Sequence, residues 1–465
     1  MEAYTVDFER ILAAADEARP ALRRGDPVDR AAWLEAAAAA LDAASDELVA
    51  LAGAETHLPA ARLTGELRRT RFQARLFAQG LRSGELLPVR VDAADPDWGM
   101  GPRPDLRRTV IPIGPVLVFA ASNFPFAFSV FGGDTVSALA AGCPVVVKAH
   151  PGHPELSRRT AAIVAAALRA AGAPDGTFAL IEGIEASLAA LRDPRIRAAA
   201  FTGSTAGGRA LFDIAAARPD PIPFYGELGS VNPVVVTPAA WAERGAAIAE
   251  GWVGSLTLGA GQFCTNPGVV LVPEPDAFLA AVDLPAPGRM LTERIEQGFA
   301  SAVSQVGALP GVRVAAVGPQ NAEGVRAGVL RAAAADVLAD PRALEIEMFG
   351  PAGLVVGYSS TDELIGVLRR LPGQLTGTVQ AHSTEADTVA AVAVDALTET
   401  AGRIIYNDWP TGVTVSGAQQ HGGPYPATTA PTTTSVGLSA IARFQRPVAY
   451  QGAPASVLPA ELRDR

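Results

Sequence analysis

The sequence predicts an α/β protein: a nucleotide-binding type of domain on a parallel sheet, followed by a second α/β domain. Two observations carry this. From about Pro115 onward, short apolar runs alternate with helix-like stretches, the pattern of parallel strands covered on both faces. The chain has 465 residues, 49% of them hydrophobic, which exceeds one ordinary domain and is ample for two cores and an association surface.

The elements follow in order. Residues 7–81 are helical in pattern, with alanine-rich segments at 30–44 and 66–81 that repeat apolar residues at three-to-four spacing. Residues 86–108 are rich in Pro, Asp and Arg and suit an exposed hairpin or arm, a candidate subunit contact. Apolar runs at 116–120, 145–148, 177–181 and 197–201 define a nucleotide-binding type of domain over 115–229, with ligands expected at the carboxyl ends of its strands. A second α/β series runs from about Val234 to Ile405. The tail, 419–450, is Thr-, Pro- and Gly-rich and ends in an extended run, 446–450, expected to pair with another element. No internal repeats are evident.

A net charge of -10 disfavours phosphate polymers and anionic membranes, so neither nucleic acid nor membrane is an expected partner. No apolar run approaches the ~18 residues of a membrane span, and residues 1–10 lack the pattern of a secretory signal, so a cytoplasmic protein is expected. Two cysteines, Cys143 and Cys264, exclude a disulfide framework, and five scattered histidines show no zinc-ligand spacing; no metal site is expected. Lysine occurs once, at Lys148, while arginine fills the other basic positions. Coding bias explains the arginines; it does not explain the exemption.

Three segments carry candidate chemistry. Residues 259–268 place Cys264 in a Gly-rich turn, where backbone amides can converge on an anion and the thiol can stay accessible as a nucleophile. A packed core cysteine is the other reading, and Cys143 at the entry to an apolar strand fits it. Residues 224–230 put Glu227 between glycines at a strand end, where apolar surroundings would raise its pKa and suit it to general-base work; a solvated loop glutamate is the alternative. Residues 119–125 hold Asn123 where a strand opens onto a helix, aimed as an oxyanion donor or serving as a turn or cap.

Together the three resemble the aldehyde dehydrogenase superfamily. Further motifs at 147–151, 201–204 and 347–351 agree in order and spacing over roughly residues 7–450. The resemblance implies an aldehyde dehydrogenase-like fold: a Rossmann-type cofactor domain from 1–85 and 113–228, a catalytic domain over 229–440, and a bridging, oligomerising element from 86–112 and 441–465. It implies Cys264 as nucleophile, Glu227 as general base, and Asn123 with the Cys264 backbone N–H as oxyanion hole. Glu347 and Phe349 would hold the nicotinamide ribose and ring, Lys148 the adenosine ribose, and Gly203 and Ser204 the pyrophosphate. Ala121, Ser122, His150, Pro151 and Leu228 complete the implied cofactor contacts. No G-x-G-x-x-G fingerprint occurs, as is usual in this superfamily. The implied cycle runs through a thiohemiacetal and a thioester that water hydrolyses, since relatives passing the acyl group to coenzyme A do not need a base at Glu227.

In NAD-preferring relatives a glutamate stands three residues after the lysine; here Pro151 does. Without that carboxylate a 2′-phosphate meets no repulsion and Lys148 supplies positive charge, so NADP is the expected cofactor, with NAD tolerated. Segments 121–134, 261–268 and 420–428 resemble the branch that oxidises α-ketoglutaric semialdehyde (2,5-dioxopentanoate), although the match is shared with NADP-linked long-chain aldehyde dehydrogenases. A dicarboxylic semialdehyde needs a cationic or amide-rich anchor, and no arginine falls inside these motifs. Phe124, Phe128, Tyr406 and Trp409 are candidates for a tunnel or for core packing, and His421 for touching substrate or, preferably, ordering the tail. The rival classes are a thiol hydrolase, which leaves 347–351 unexplained, and a catalytically silent homologue. A homodimer or homotetramer acting on a small-molecule aldehyde is expected.

Overall fold

The computed structural model describes residues 2–286, 288–320 and 324–463, with side chains from residue 8 onward. Four helices lead in: Glu2–Arg24, Pro27–Ala43, Ser45–Thr56 and Ala60–Ser83. The second starts where it does because the Asp26 carboxylate accepts from the Val28 N–H at 2.8 Å and Pro27 occupies the first turn. It buries Ala31, Leu34, Ala37, Ala38 and Leu41, the face that three-to-four spacing predicts. The helix Ala60–Ser83 stops at Gly84, where φ is +78°. Its buried face carries Leu63, Leu67, Ala74 and Phe77, and also Glu66, only 6% exposed.

The first sheet has five parallel strands in the spatial order Phe178–Ile181, Val145–Lys148, Val116–Phe119, Ala198–Thr202, Phe224–Glu227. The chain enters at the middle strand, builds outward to one edge, then crosses back to build the other half. The reversal lies between Val116–Phe119 and Ala198–Thr202, and in such sheets the crevice at the strands' carboxyl ends at that point receives the ligand. Leaving it are the segments that begin Ala120-Ala121-Ser122-Asn123 and Gly203-Ser204. Val116, Val118, Val145 and Val147 face one apolar cluster and Leu117, Phe119, Val146 and Ala199 another, so both faces are buried and the strands read as unbroken apolar runs.

A second sheet of seven strands is ordered Arg313–Val317, Gly328–Ala333, Ala352–Gly357, Val269–Val272, Val234–Val236, Gln374–Gln380, Ala401–Tyr406. The first of these is antiparallel to its neighbour and the others run parallel. A third, three-stranded antiparallel sheet joins the arm to the tail: Arg90–Asp92 pairs with Leu106–Pro112, which pairs with Gln445–Gln451. The tail run thus finds its partner in the arm, 335 residues upstream of it in the chain by its pairing of Arg446 with Ile111. No described helix is long and apolar enough to cross a membrane.

Candidate active site

Cys264 follows a turn in which Gly259, Ala260 and Gly261 all have positive φ, at +57°, +55° and +69°. Such a run is costly for any residue with a side chain. Close packing adds a second constraint at Gly261, where a Cβ would lie 2.1 Å from the Gly350 carbonyl carbon. Asn266 ties the same two backbones together, its Nδ2 donating to Gly261 O at 2.8 Å and Gly350 O at 2.9 Å. The carbonyl of Cys264 accepts from Asn232 Nδ2 at 2.8 Å, and Asn232 is itself held by Ser230 and Gln374. The nucleophile candidate therefore stands on a fully braced backbone, half-buried, while Cys143 is buried in the first core.

Opposite the thiol, Glu227 ends its strand with a side chain almost wholly out of solvent. Its Oε1 lies 2.8 Å from His421 Nε2, and its Oε2 accepts from Ser435 Oγ at 2.5 Å. The same His421 Nε2 is 3.5 Å from Cys264 Sγ. The three donor atoms of Glu227, Cys264 and His421 all lie within 4.8 Å of one another. The segment that brings in His421 and Ser435 is pinned to the end of the Glu227 strand: Leu228 N donates to Ala427 O at 2.8 Å, and Thr429 N to Gly226 O at 3.0 Å.

Electrostatics corrects one expectation. Burial pushes the Glu227 carboxyl upward, but the charge and contact of His421, the Ser435 hydroxyl and the charge of Arg443 outweigh it, so the group rests below its ordinary value. Apolar surroundings alone were the basis for expecting it raised. For Cys264, burial and then the negative charges of Glu227 and Glu347 push the thiol well above its usual range, against a smaller opposing effect of Arg403. The resting pair is thus a neutral thiol beside a carboxylate, an arrangement in which the proton leaves as the nucleophile attacks.

Asn123 is 7% exposed and donates from Nδ2 to Gln262 O at 3.0 Å, two residues before the thiol. Its own carbonyl accepts from Arg62 Nη2 at 2.7 Å. Phe124 meets Phe128 and Phe263 edge-on, with ring centroids 5.4 and 5.3 Å apart. Tyr406 and Trp409 do not join this group: Tyr406 is 52% exposed, and Trp409 packs on Gly251. The tunnel candidates reduce to the pair beside Asn123, with Phe263 added.

The cofactor candidates gather around the strand ends of the first sheet. Lys148 ends its strand half-buried, its ammonium lowered by desolvation, and His150 is pushed down to about 3 by burial and the charges of His153 and Lys148. Pro151 is exposed, Ser122 half-buried and Ala121 buried, its carbonyl 3.0 Å from His153 Nε2. Gly203 follows the strand end, and Ser204 caps the helix Thr205–Ala216 by accepting from Gly207 N at 3.3 Å. Leu228 is buried with its side chain against Gly208. Glu347 approaches Gly229 so closely that a Cβ there would stand 2.7 Å from its Oε2. With Phe349 it lines a small cavity together with Ser230, Val231 and Asn266. Burial raises the Glu347 carboxyl to about 8.

Sequence reasoning missed several members. His421, for which the sequence favours ordering the tail over touching substrate, contacts both reacting candidates. Ser435 and the arginines Arg62, Arg69 and Arg403 carry no motif. The signal that existed was chemical: a histidine just before Gly422-Gly423, in a stretch, 419–430, that carries no other basic or acidic side chain besides the phenol of Tyr425.

The model of the aldehyde dehydrogenase family matches residues 1–283. Alpha-ketoglutaric semialdehyde dehydrogenase 2 of Azospirillum brasilense is 47% identical over 99% of this chain and 90% of its own length. The alpha-ketoglutaric semialdehyde dehydrogenase of Acinetobacter baylyi is 41% identical over 94% of this chain and 84% of its own. Among solved structures, an NAD-dependent aldehyde dehydrogenase from Sinorhizobium meliloti superposes with a TM-score of 0.78 at 23% identity, covering 96% of this chain and 87% of that one. The methylmalonate-semialdehyde dehydrogenase of Oceanimonas doudoroffii gives 0.78 at 20%, covering 97% and 91%. At such identities the structural likeness bears on fold alone.

Proposed function

The chain belongs to the aldehyde dehydrogenase family, and on that premise we propose that it oxidises α-ketoglutaric semialdehyde to 2-oxoglutarate, with NADP preferred and NAD tolerated. It is an oxidoreductase acting on aldehydes. The observation that carries the chemistry is the convergence of Cys264 Sγ, His421 Nε2 and Glu227 Oε1 beside the Asn123 amide.

The residues present fit a nicotinamide dinucleotide. The first-turn amides of the helix capped by Ser204 suit a pyrophosphate. Lys148, flanked by His150 and Pro151, offers a positive charge with no carboxylate raising its pKa, which favours a 2′-phosphate. Ala121, Ser122 and Gly203 would line the approach, and Glu347, Phe349 and the Leu228 backbone would hold the nicotinamide end. The chemistry supplied by the bound nicotinamide is acceptance of a hydride from the substrate carbon.

The chain's own residues do the remainder. As Cys264 Sγ attacks the aldehyde carbon, its proton passes to the Glu227 and His421 pair, which releases it to solvent before hydrolysis. The oxyanion of the thiohemiacetal receives hydrogen bonds from Asn123 Nδ2 and the Cys264 backbone N–H. Once the thioester stands, Glu227 takes a proton from water as that water attacks the acyl carbon, and returns the proton to the Cys264 sulfur as the C–S bond breaks, leaving the acid and a thiol. His421 and Ser435 hold the carboxylate in place for this.

We further assign segments 1–85 and 113–228 to cofactor binding, 229–440 to catalysis, and 86–112 with 441–465 to a bridging element. Trp98 and Met100 on the arm, 45% and 89% exposed, favour its use as a subunit contact in a homodimer or homotetramer. A cytoplasmic site of action accords with a nicotinamide cofactor.

The test is the absorbance of reduced nicotinamide with purified protein, NADP or NAD, and α-ketoglutaric semialdehyde, succinic semialdehyde or a long aliphatic aldehyde. Fastest reduction is expected with NADP and the ketoglutaric semialdehyde, and none with Cys264→Ala. A faster aliphatic aldehyde would overturn the substrate; reduction by no aldehyde would overturn the function.

A further inference from the structure

The helix Ala60–Ser83 turns three ionic residues, Arg62, Glu66 and Arg69, along one face at helical spacing toward the active site. Glu66 faces inward and accepts from the Phe126 and Ala127 N–H groups at 2.8 and 2.9 Å, so it holds the loop that carries Asn123. Arg62 spends Nη2 on Asn123 O, and its Cζ lies 5.0 and 4.9 Å from the Phe124 and Phe263 rings.

Arg69 is placed differently. Its Nε donates to Val413 O at 3.2 Å and its Cζ lies 5.2 Å from the Phe128 ring, which is 6.2 Å from the His421 ring. Both of its terminal nitrogens are enclosed and have no partner among the described residues. Arg403 approaches the same loop from the second sheet, donating to Pro410 O at 2.9 Å and to Gly412 O at 3.2 Å. Residues 410–413 are therefore clamped between two arginines, one with its terminal nitrogens spent and one with both free.

An enclosed guanidinium with two unpaired terminal nitrogens is unfavourable by itself. The group that best satisfies two parallel N–H donors at once is a carboxylate. One carboxylate, Glu66, against the two guanidinium groups of its helix face leaves that wall positive. A substrate whose aldehyde is on Cys264 and whose chain lies along Phe128 would bring its far end there.

We propose that Arg69 is the specificity-determining residue that receives the far carboxylate of the semialdehyde, with Arg403 and Arg62 as positioning residues for the walls around it. The proposal rests on the aldehyde oxidation put forward above. It supplies the anchor that the sequence motifs lacked, from a helix and a strand outside all of them. After burial and the charge of Glu66, the charge of Glu227 also acts on the Arg69 guanidinium, in keeping with its place beside the reacting centre.

The experiment compares α-ketoglutaric semialdehyde with pentanal, an uncharged aldehyde of the same chain length, on wild type, Arg69→Gln and Arg69→Lys. For Arg69→Gln, KM for the semialdehyde should rise roughly 10- to 100-fold, the scale of a lost charge-assisted hydrogen bond. Its kcat should stay within a few-fold, and pentanal kinetics should be unchanged. Arg69→Lys should recover part of the loss. Equal losses on both aldehydes, or no change with the semialdehyde, would overturn the anchor. Should Arg69→Gln not fold, the wild type decides: glutarate must compete with the semialdehyde and its dimethyl ester must not, and equal competition by both overturns the proposal. Wild type that oxidises pentanal as well as the semialdehyde sinks the anchor alone. Wild type that oxidises neither sinks the dehydrogenase reading as well.

Discussion

The imidazole of His421 stands 2.8 Å from the Glu227 carboxylate, and its same nitrogen is 3.5 Å from the Cys264 sulfur. One ring atom thus touches both the group that must lose a proton and the group that must take one. The contact also holds the carboxyl below its ordinary value despite burial, so Glu227 is charged at rest and ready to accept.

Removing the ring should expose that dependence. In His421→Gln the principal opposition to desolvation is gone, so the Glu227 carboxyl should rise and the acid limb of the kcat profile should move to higher pH. Turnover should fall by about 10²–10⁴, the usual worth of a positioned acid–base group. Unchanged kcat and an unmoved acid limb would show that the histidine merely orders the tail.

Glu227→Gln separates the two halves of the cycle. A first turnover of reduced nicotinamide should persist while steady-state turnover falls about 10²–10⁴, with the acyl-enzyme visible by mass spectrometry. Because the Glu227 charge is one cause of the raised thiol, alkylation of Cys264 by iodoacetamide should become faster at neutral pH in this variant. Slower alkylation would contradict the charge ordering described above.

Glu347 gives a stability test with a definite sign. Its folded value of about 8 exceeds the ordinary 4.5, so between these values the folded chain keeps a proton that the unfolded chain has lost. That contribution is fully present below 4.5 and is lost as pH rises through about 8. Urea midpoints without cofactor should therefore fall with rising pH across this window, and Glu347→Gln should flatten the slope. Parallel slopes in the two proteins would exclude Glu347 as the source.

Gly261→Ala tests the brace behind the nucleophile. The added methyl meets the Gly350 carbonyl carbon at 2.1 Å in a backbone with φ at +69°, so the turn must shift. Strain of this kind costs roughly 1–3 kcal/mol before any clash is counted. A lower melting temperature and a loss of activity larger than the loss of folded protein are expected; normal kinetics would mean that the turn is not under the constraint described.

How much of this was legible beforehand depended on the range of the interaction. The strands at 116–119, 145–148, 178–181 and 198–202 stand within a residue or two of their expected positions, because a strand buried on both faces must be apolar along its length. The glycines around Cys264 and Glu227 were also readable, since positive φ and close approach are demands of the local backbone. Between a tunnel and core packing the sequence left Tyr406 and Trp409 open, because an aromatic residue's spacing says nothing about which wall it faces; Trp409 packs on Gly251 and Tyr406 is half exposed.

Sequence by itself determined the fold class, the local shape of each turn and the chemical types available, because backbone geometry and hydrophobic periodicity are set over a few residues. Tertiary structure alone decided that His421 meets Glu227 and Cys264, that Ser435 caps the same carboxylate, and that Arg69 lies beside Phe128 with free nitrogens. Those contacts join a lead-in helix, a strand end and a tail loop, and their strength comes from the dry enclosure that only the packed chain creates.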